Sequence, residues 1–504
     1  MNRQIRRFGV GIMVLYILLF AQLNRLQVFE AEALRDDPNN SRSIVRDYGQ
    51  RRGSIVTADG TVIALSEELD SGQFARQRLY PEGDLYAHST GYFSFNFGAE
   101  GLEESYNDEL AGQTVGQEFG DLSSLFVDTD TTGNLILSLE HDLQVAAREA
   151  LGDQNGTVVA LEPETGNVLS MWSWPSYDPN LISAVDQEVS RSAWIWHNAL
   201  NPSPLIPKAY RETYFPGSTF KIVTASAALA SGTVTGNDPV YPVVPEYVPP
   251  LTTSGIGNFG GSSCGGDLFN LIRVSCNSGF SQMAVEEVGP DLLVETAEGF
   301  GFNERLPIDL PNPAASVFAT DYGPFNRTGT TADGREFDVF DSTPVFAQAA
   351  IGQFETRATP VQMAMVAAAV GNNGRLMEPK LVTEILDVDG DNITTNDDEL
   401  IGVAIDPASA QTLRQAMVGV VADGTARGLQ TEGWEVGAKT GTAQLGASVE
   451  ATHAWIIVFA GQPGQPADIA IAVIVEADAE LGQRTGGSTA GPIAKAVLDT
   501  YIAS

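Results

Sequence analysis

Ser218 and Lys221 stand three residues apart in YFPGSTFKIVTASAALASG (Tyr214 to Gly232). On a helix that spacing brings the hydroxyl and the amine onto one face. Serine becomes a useful nucleophile when a neighbouring base takes its proton, and a desolvated lysine can be that base. The residues after Lys221 are almost all apolar or small, so the amine lies where water is scarce. It is one of only five lysines in 504 residues, which makes its position hard to assign to surface charge. Pro216-Gly217 turns the chain just before the helix, so Ser218 is expected at a helix N-terminus, where N–H groups face developing negative charge.

Two further stretches supply what such a pair needs. Ser275-Cys276-Asn277 offers a second hydroxyl and an amide, and Lys439-Thr440-Gly441-Thr442 (KTGT) lies in EVGAKTGTAQ, a strand-like context. Ser94-Phe95-Asn96 and Ser105-Tyr106-Asn107 have the same SxN form but precede the SxxK. The order SxxK, SxN, KTG is the mark of penicillin-recognising serine acyltransferases.

The elements that must position these residues are also readable. RRGSIVTADGTVIALS (Arg51 to Ser66) is a hairpin turning at Asp59-Gly60, and a second hairpin follows Asn155 around Pro163 and Thr165-Gly166. Helices are expected over Pro290 to Gly299, Pro360 to Val370 and Pro407 to Val421, with strands near Thr452 to Gly461 and Asp468 to Glu476 and a last helix in GPIAKAVLDTYIAS. DVDGDNITTNDDE (Asp387 to Glu399) superficially has the acidity of a calcium loop, but Asn392 occupies the glycine position, so a hairpin turn is the reading. Trp172, Trp174, Tyr177 and Trp196 read as packing more readily than as ligand platforms, and Pro360, Gln362, Met363, His453 and Trp455 as core.

Composition narrows the function classes. The chain has 28 basic and 64 acidic residues, a net charge of −36 that repels nucleic acid. Its four histidines show no metal-ligand spacing, and neither a metal nor a cofactor is expected. Arg3, Arg6 and Arg7 precede an uncharged run from Phe8 to Leu23, which reads as an uncleaved anchor with the bulk of the chain exported; the competing reading is a signal peptide cut near Ala31-Glu32-Ala33. Export would permit a disulfide between Cys264 and Cys276, twelve residues apart; two free thiols are the alternative.

From Gly53 onward the chain resembles the class B penicillin-binding proteins, monofunctional D,D-transpeptidases that cross-link peptidoglycan. GLEESYNDEL, LEPETGNVLSMWSWPSYDPN, IGQFETRATPVQMA, DGTARGL and HAWIIVFA carry the likeness beside the three motifs, and YAHSTGYFSF is most similar to an actinobacterial cell-division subgroup. In the pedestal hairpin Thr57 and Ala58 replace the aspartate and arginine of the family pattern. The resemblance implies an α/β (α+β) penicillin-binding transpeptidase fold, an antiparallel sheet flanked by helices, behind an elongated β-rich pedestal and a single transmembrane helix. The expected division is a cytoplasmic tail over 1–7, the anchor over 8–24, a pedestal over 25–152 and the transpeptidase domain over 153–504.

It further implies Ser218 as nucleophile, Lys221 as base, Ser275 as proton shuttle and Asn277 as the group holding Lys221 and the substrate amide. Lys439, Thr440, Gly441 and Thr442 would bind the substrate carboxylate, with the N–H groups of Ser218 and Thr442 as oxyanion hole. Implied partners are stem peptides of glycan strands, β-lactams and a membrane glycosyltransferase. The motifs alone also fit a β-lactamase, a carboxypeptidase or a scaffold. The anchor, about 190 residues before Ser218 and the 164-residue interval between SxN and KTG weigh against a β-lactamase.

Overall fold

The computed structural model describes residues 2–25, 48–72, 74–114, 131–444, 451–478 and 482–504. The strands used below are β1 (Ile55–Val56), β2 (Val62–Glu68), β3 (Arg76–Leu79), β4 (Asn134–Leu137), β5 (Gly156–Leu161), β6 (Val168–Trp174), β7 (Val382–Leu386), β8 (Asn392–Thr395), β9 (Glu435–Gln444), β10 (Thr452–Gly461) and β11 (Ile469–Val475). The helices are α1 (Asn2–Asn24), α2 (His141–Leu151), α3 (Lys221–Ala230), α4 (Leu268–Arg273), α5 (Asn277–Met283), α6 (Pro360–Gly371), α7 (Pro407–Asp423) and α8 (Gly491–Ala503).

One five-stranded antiparallel sheet, in the order β9-β10-β11-β5-β6, carries the C-terminal part of the chain. β10 and β11 are buried along their whole length, which is why both read as continuous apolar runs rather than alternating ones. The helix α6 covers one side, against β10, β11 and β5, while α2 and α8 pack together against β6 and β11. α6 and α7 begin where their prolines predict: Thr359 and Asp406 accept backbone N–H bonds as N-caps, and Pro360 and Pro407 occupy the first turn, where no N–H is needed. Gln362 and Met363 belong to the buried core of α6, and Trp172 to the core beneath β6.

The N-terminal sheet has six strands in the order β8-β7-β4-β1-β2-β3. The expected hairpin about Asp59-Gly60 is β1–β2, and β1 also runs parallel to β4. Thr57 does a turn's work here: its hydroxyl accepts the N–H of Thr61 at 2.9 Å and bonds to Asp59. The acidic stretch from Asp387 is the turn between β7 and β8, as expected. That hairpin comes from far along the chain, so the sheet is not built from residues 25–152 alone.

The pedestal closes around a buried carboxylate. Glu103 accepts from Arg52 at 2.9 Å and from Arg78 at 2.5 Å, and all three side chains are nearly or fully excluded from solvent. Burial by itself would push the Glu103 carboxyl up, but the two guanidinium groups reverse the effect and hold it below its usual range. Arg52 additionally lies 3.9 Å over the Phe93 ring, and Arg78 donates to the carbonyl of Gly53 at 2.8 Å.

The expected anchor segment falls within α1, whose Phe8, Met13, Tyr16 and Phe20 are largely exposed. Among the described residues no helix is long and apolar enough to cross a membrane, so a membrane-spanning length is not carried by this structure.

Removing the charge of Glu103 leaves two buried guanidinium groups unneutralised. Glu103→Gln is expected to destabilise the pedestal by about 3–5 kcal/mol. The readout is loss of hydrogen-exchange protection in β1 and β4; unchanged protection would contradict the role given to this ion cluster.

Candidate active site

Ser218 lies in a single 3-10 turn, Gly217–Thr219, and α3 begins only at Lys221. Ser218, expected at a helix N-terminus, therefore stands in the 3-10 turn that leads directly into α3. The cause is the fit of the turn against β9. A Cβ on Gly217 would lie 3.0 Å from the carbonyl oxygen of Thr442, and one on Gly441 would lie 2.9 Å from that of Pro216. The serine turn and the KTGT strand therefore touch backbone to backbone, which glycine at both positions allows; Gly217 also has φ +54°.

Ser275 terminates α4 in the left-handed conformation, φ +60°, where glycine is usual. Its own N–H reaches Ile272 O at 3.2 Å and that of Cys276 reaches Leu271 O at 2.9 Å, the paired bonds of a Schellman end. The chain then starts α5 at once with Asn277. Asn258 braces this corner: its Oδ1 accepts from the N–H groups of Asn277 and Ser278, both at 2.9 Å, while its Nδ2 donates to Val244, Pro245 and Ser262 carbonyls. Cys264 and Cys276 are joined in a disulfide with Cα atoms 5.8 Å apart, settling the alternative left by the sequence and tying the Asn258 segment to the SxN corner.

The two motif lysines converge on Ser275 with no exposed surface. Lys221 Nζ donates to Asn277 Oδ1 at 2.7 Å and to the Ser275 carbonyl at 2.9 Å. Lys439 Nζ donates to Ser275 Oγ and to the Thr440 carbonyl, both at 2.8 Å. Among the described residues no carboxylate pairs with either, whereas Lys208, Lys380 and Lys495 are bonded to Glu476, Asp398 and Asp499. Burial pushes the Lys439 amine down to about 7. Lys221 is held well below the ordinary amine range by burial first and by the charge of Lys439 second.

A cavity of about 1170 Å³ opens onto this cluster and is lined by Ser218, Ser275, Asn277, Thr440 and Thr442. The residues expected at the site are thus brought together. Asn277 holds Lys221 as expected, but its Nδ2 is engaged with the Gly257 carbonyl at 2.9 Å. Trp172, Trp174, Tyr177 and Trp196 do not line the cavity. His453 and Trp455 pack behind β9, where Trp455 Nε1 donates to the Phe215 carbonyl at 3.0 Å.

Sequence reasoning missed three contributors. Asn258 has no motif of its own. Thr425, whose hydroxyl is 2.6 Å from that of Thr440, stands in DGTARGL, a stretch noticed only as a likeness. Gly486 approaches β10 and β9 so closely that a Cβ would lie 1.9 Å from the Trp455 carbonyl oxygen and 2.9 Å from the backbone of Gly441. Each acts through a contact between distant segments.

The lysine cluster has a measurable cost. The folded-state value for Lys439 lies below the ordinary amine value of about 10.4, so between those limits the unfolded chain binds more protons and stability rises with pH. Lys439→Met is expected to be more stable than the parent by on the order of 3 kcal/mol at pH 7 and below. The gap should close as pH approaches 10; chemical denaturation at several pH values measures it, and a pH-independent gap would refute the assignment.

Comparison with known proteins supplies the context for this geometry. Residues 156–499 match the penicillin binding protein transpeptidase domain, and residues 52–136 the penicillin binding protein A dimerisation domain. The chain is 35% identical to the peptidoglycan D,D-transpeptidase PbpA of Mycolicibacterium smegmatis, over 99% of this chain and 98% of that protein. Its identity to the Mycobacterium tuberculosis protein of the same name is 34%, over 100% and 99% of the two chains. A structure of penicillin-binding protein A from M. tuberculosis, a ceftriaxone acyl-enzyme complex, superposes with a TM-score of 0.79 at 33% identity, covering 90% of this chain and 99% of that one. A penicillin G acyl-enzyme complex of the same protein gives 0.78, with 90% and 100% covered.

Proposed function

The chain belongs to the penicillin-binding transpeptidase family and acts as a peptidoglycan D,D-transpeptidase; we propose that Ser218 is its nucleophile and Lys221 the base that activates it. One observation carries this reading. A neutral amine has two N–H bonds and one lone pair, and both donors of Lys221 are taken up by Asn277 Oδ1 and the Ser275 carbonyl. The lone pair is left for the Ser218 hydroxyl three residues earlier, and burial keeps the amine neutral enough to use it.

Ser218 Oγ forms a bond to the carbonyl carbon of the penultimate D-alanine while its proton passes to Lys221. The tetrahedral oxyanion is received by the N–H groups of Ser218 and Thr442, where losing one donor costs about 3–4 kcal/mol. On collapse, the C–N bond breaks and the departing D-alanine amine takes a proton through Ser275, whose hydroxyl is already bonded to Lys439. The hydroxyls of Thr440 and Thr442 hold the terminal carboxylate, with Thr425 fixing the direction of Thr440 and the buried Lys439 supplying positive field from behind the cavity wall. An acceptor amine from a second stem peptide then displaces Ser218. A β-lactam enters the same route but leaves no departing group to make room for the acceptor.

We further propose that α1 is a single-pass anchor, its arginines inside and residues 25–504 outside, and that the pedestal comprises residues 25–152 with the β7–β8 hairpin laid onto it. The biological setting that fits is septal wall synthesis beside a membrane glycosyltransferase.

Incubation with a fluorescent penicillin is expected to give a covalent adduct lasting many minutes, absent in Ser218→Ala. Rapid loss of label would indicate a β-lactamase, and an unlabelled parent would overturn the transpeptidase reading. Separately, the full chain should sediment with membranes and resist carbonate extraction, and a chain lacking residues 1–24 should be released.

A further inference from the structure

The cavity wall has one ionisable side chain among its described residues, Glu355. Both motif lysines lie behind that wall with no exposed surface, so the charge presented to an arriving ligand is a carboxylate. Glu355 is exposed and has no ion-pair partner among the described residues. The nearest cation in sequence, Arg357, is stacked 3.9 Å over the Phe215 ring instead.

The backbone beneath Glu355 is held in an unfavourable shape. Gln353 to Thr356 form a β-turn closed by Thr356 N–H to Gln353 O at 3.2 Å, and Phe354, its second residue, has φ +63°. Glycine or asparagine normally occupies such a position, and a bulky residue there is strained. Phe354 gains little burial in return, since its side chain is 50% exposed, and it too lines the cavity. The turn is nevertheless firmly placed. Thr356 Oγ1 donates to Ala349 O at 3.0 Å, and Gly352 accepts the N–H of Gly217 at 2.9 Å, one residue before Ser218. A Cβ on Gly352 would lie 2.1 Å from the Gly217 carbonyl oxygen, so this loop and the nucleophile's turn are one rigid contact.

Resting on the transpeptidase reading above, we propose that Glu355 and Phe354 recognise the acceptor: an aliphatic primary amine that arrives as an ammonium. The carboxylate binds the cationic end and the half-exposed ring covers the methylene chain. In the transfer itself, the ammonium gives one proton to solvent at the cavity mouth. Its nitrogen lone pair then forms the C–N bond to the acyl carbon, the C–Oγ bond of Ser218 breaks, and the second N–H proton goes to Oγ. Glu355 takes no part in forming the acyl-enzyme, which separates the two half-reactions by residue.

The test uses the full chain, a D-alanyl thioester as acyl donor and Nα-acetyl-lysine as a charged aliphatic acceptor, with hydroxylamine, uncharged at neutral pH, as control. Glu355→Gln should raise the KM for Nα-acetyl-lysine by about fivefold and lower the ratio of aminolysis to hydrolysis equally. Acylation by the thioester and by benzylpenicillin, and aminolysis by hydroxylamine, should stay within about twofold of the parent. Added salt should weaken charged-acceptor transfer in the parent but not in the variant, and Glu355→Asp should recover part of the loss. Phe354→Gly should raise Tm while weakening only the aliphatic acceptor, which a merely structural role would not do. An unchanged KM for Nα-acetyl-lysine in Glu355→Gln overturns the inference. Failure of the parent to be acylated at all would instead overturn the transpeptidase reading.

Discussion

Two ammonium-forming side chains, Lys221 and Lys439, are buried within reach of one serine and face only neutral oxygen atoms. That arrangement is expensive for a folded protein, because burial disfavours a charge and neighbouring like charges disfavour each other. Elsewhere in this chain the rule is kept: buried Lys208 and Lys380 each have a carboxylate. At the site it is broken, and the consequence is an amine that can be neutral near physiological pH. The acceptors are two backbone carbonyls, an asparagine oxygen and a hydroxyl, which orient the nitrogen atoms without drawing them back into the charged form.

Much of the surrounding structure serves to hold those neutral acceptors in place. Ser275 occupies a left-handed helix end that glycine would normally take, so the SxN corner stores strain that its neighbours must contain. Asn258 satisfies two N–H groups at the start of α5, and the Cys264–Cys276 disulfide fastens that same corner to the preceding segment. From the other side, backbone contacts at Gly217, Gly441 and Gly486 bring the serine turn, β9 and the C-terminal segment together at distances where any side chain would intrude. A second strained residue, Phe354, lies in the loop docked on Gly217. Of the positive-φ residues that are neither glycine nor asparagine among the described residues, Ser275 and Phe354 line the cavity and Leu251 does not.

The pedestal is joined to the catalytic part by polar contacts as well as by shared strands. Asp309 accepts the N–H groups of Leu381 and Val382 at the start of β7 and lies 3.3 Å from the hydroxyl of Tyr106. Burial pushes the Asp309 carboxyl up to about 6, despite those bonds. The β7–β8 hairpin then completes the six-stranded sheet, so the N-terminal unit includes residues encoded after most of the catalytic motifs. A division of the chain by sequence position alone misses this, because a new hairpin pattern begins after Asn155 but nothing local marks a hairpin that crosses over.

The sequence by itself determined the reaction class and most of the secondary structure. SxxK, SxN and KTG name their side chains directly, and α6, α7, β10 and β11 follow from prolines, caps and apolar runs that act within a few residues. The pairing of Cys264 with Cys276 stayed open because Cα separation is a three-dimensional quantity. Asn258, Thr425, Gly486 and Glu355 were not legible as site residues for the same reason. Each owes its role to a hydrogen bond, a close approach or a position on a cavity wall, all between segments far apart in the chain. Tertiary structure alone decided which lysines lack carboxylates, which backbone positions are strained, and which single charge among the described residues lines the cavity, since burial and proximity are set by packing rather than by neighbours in sequence.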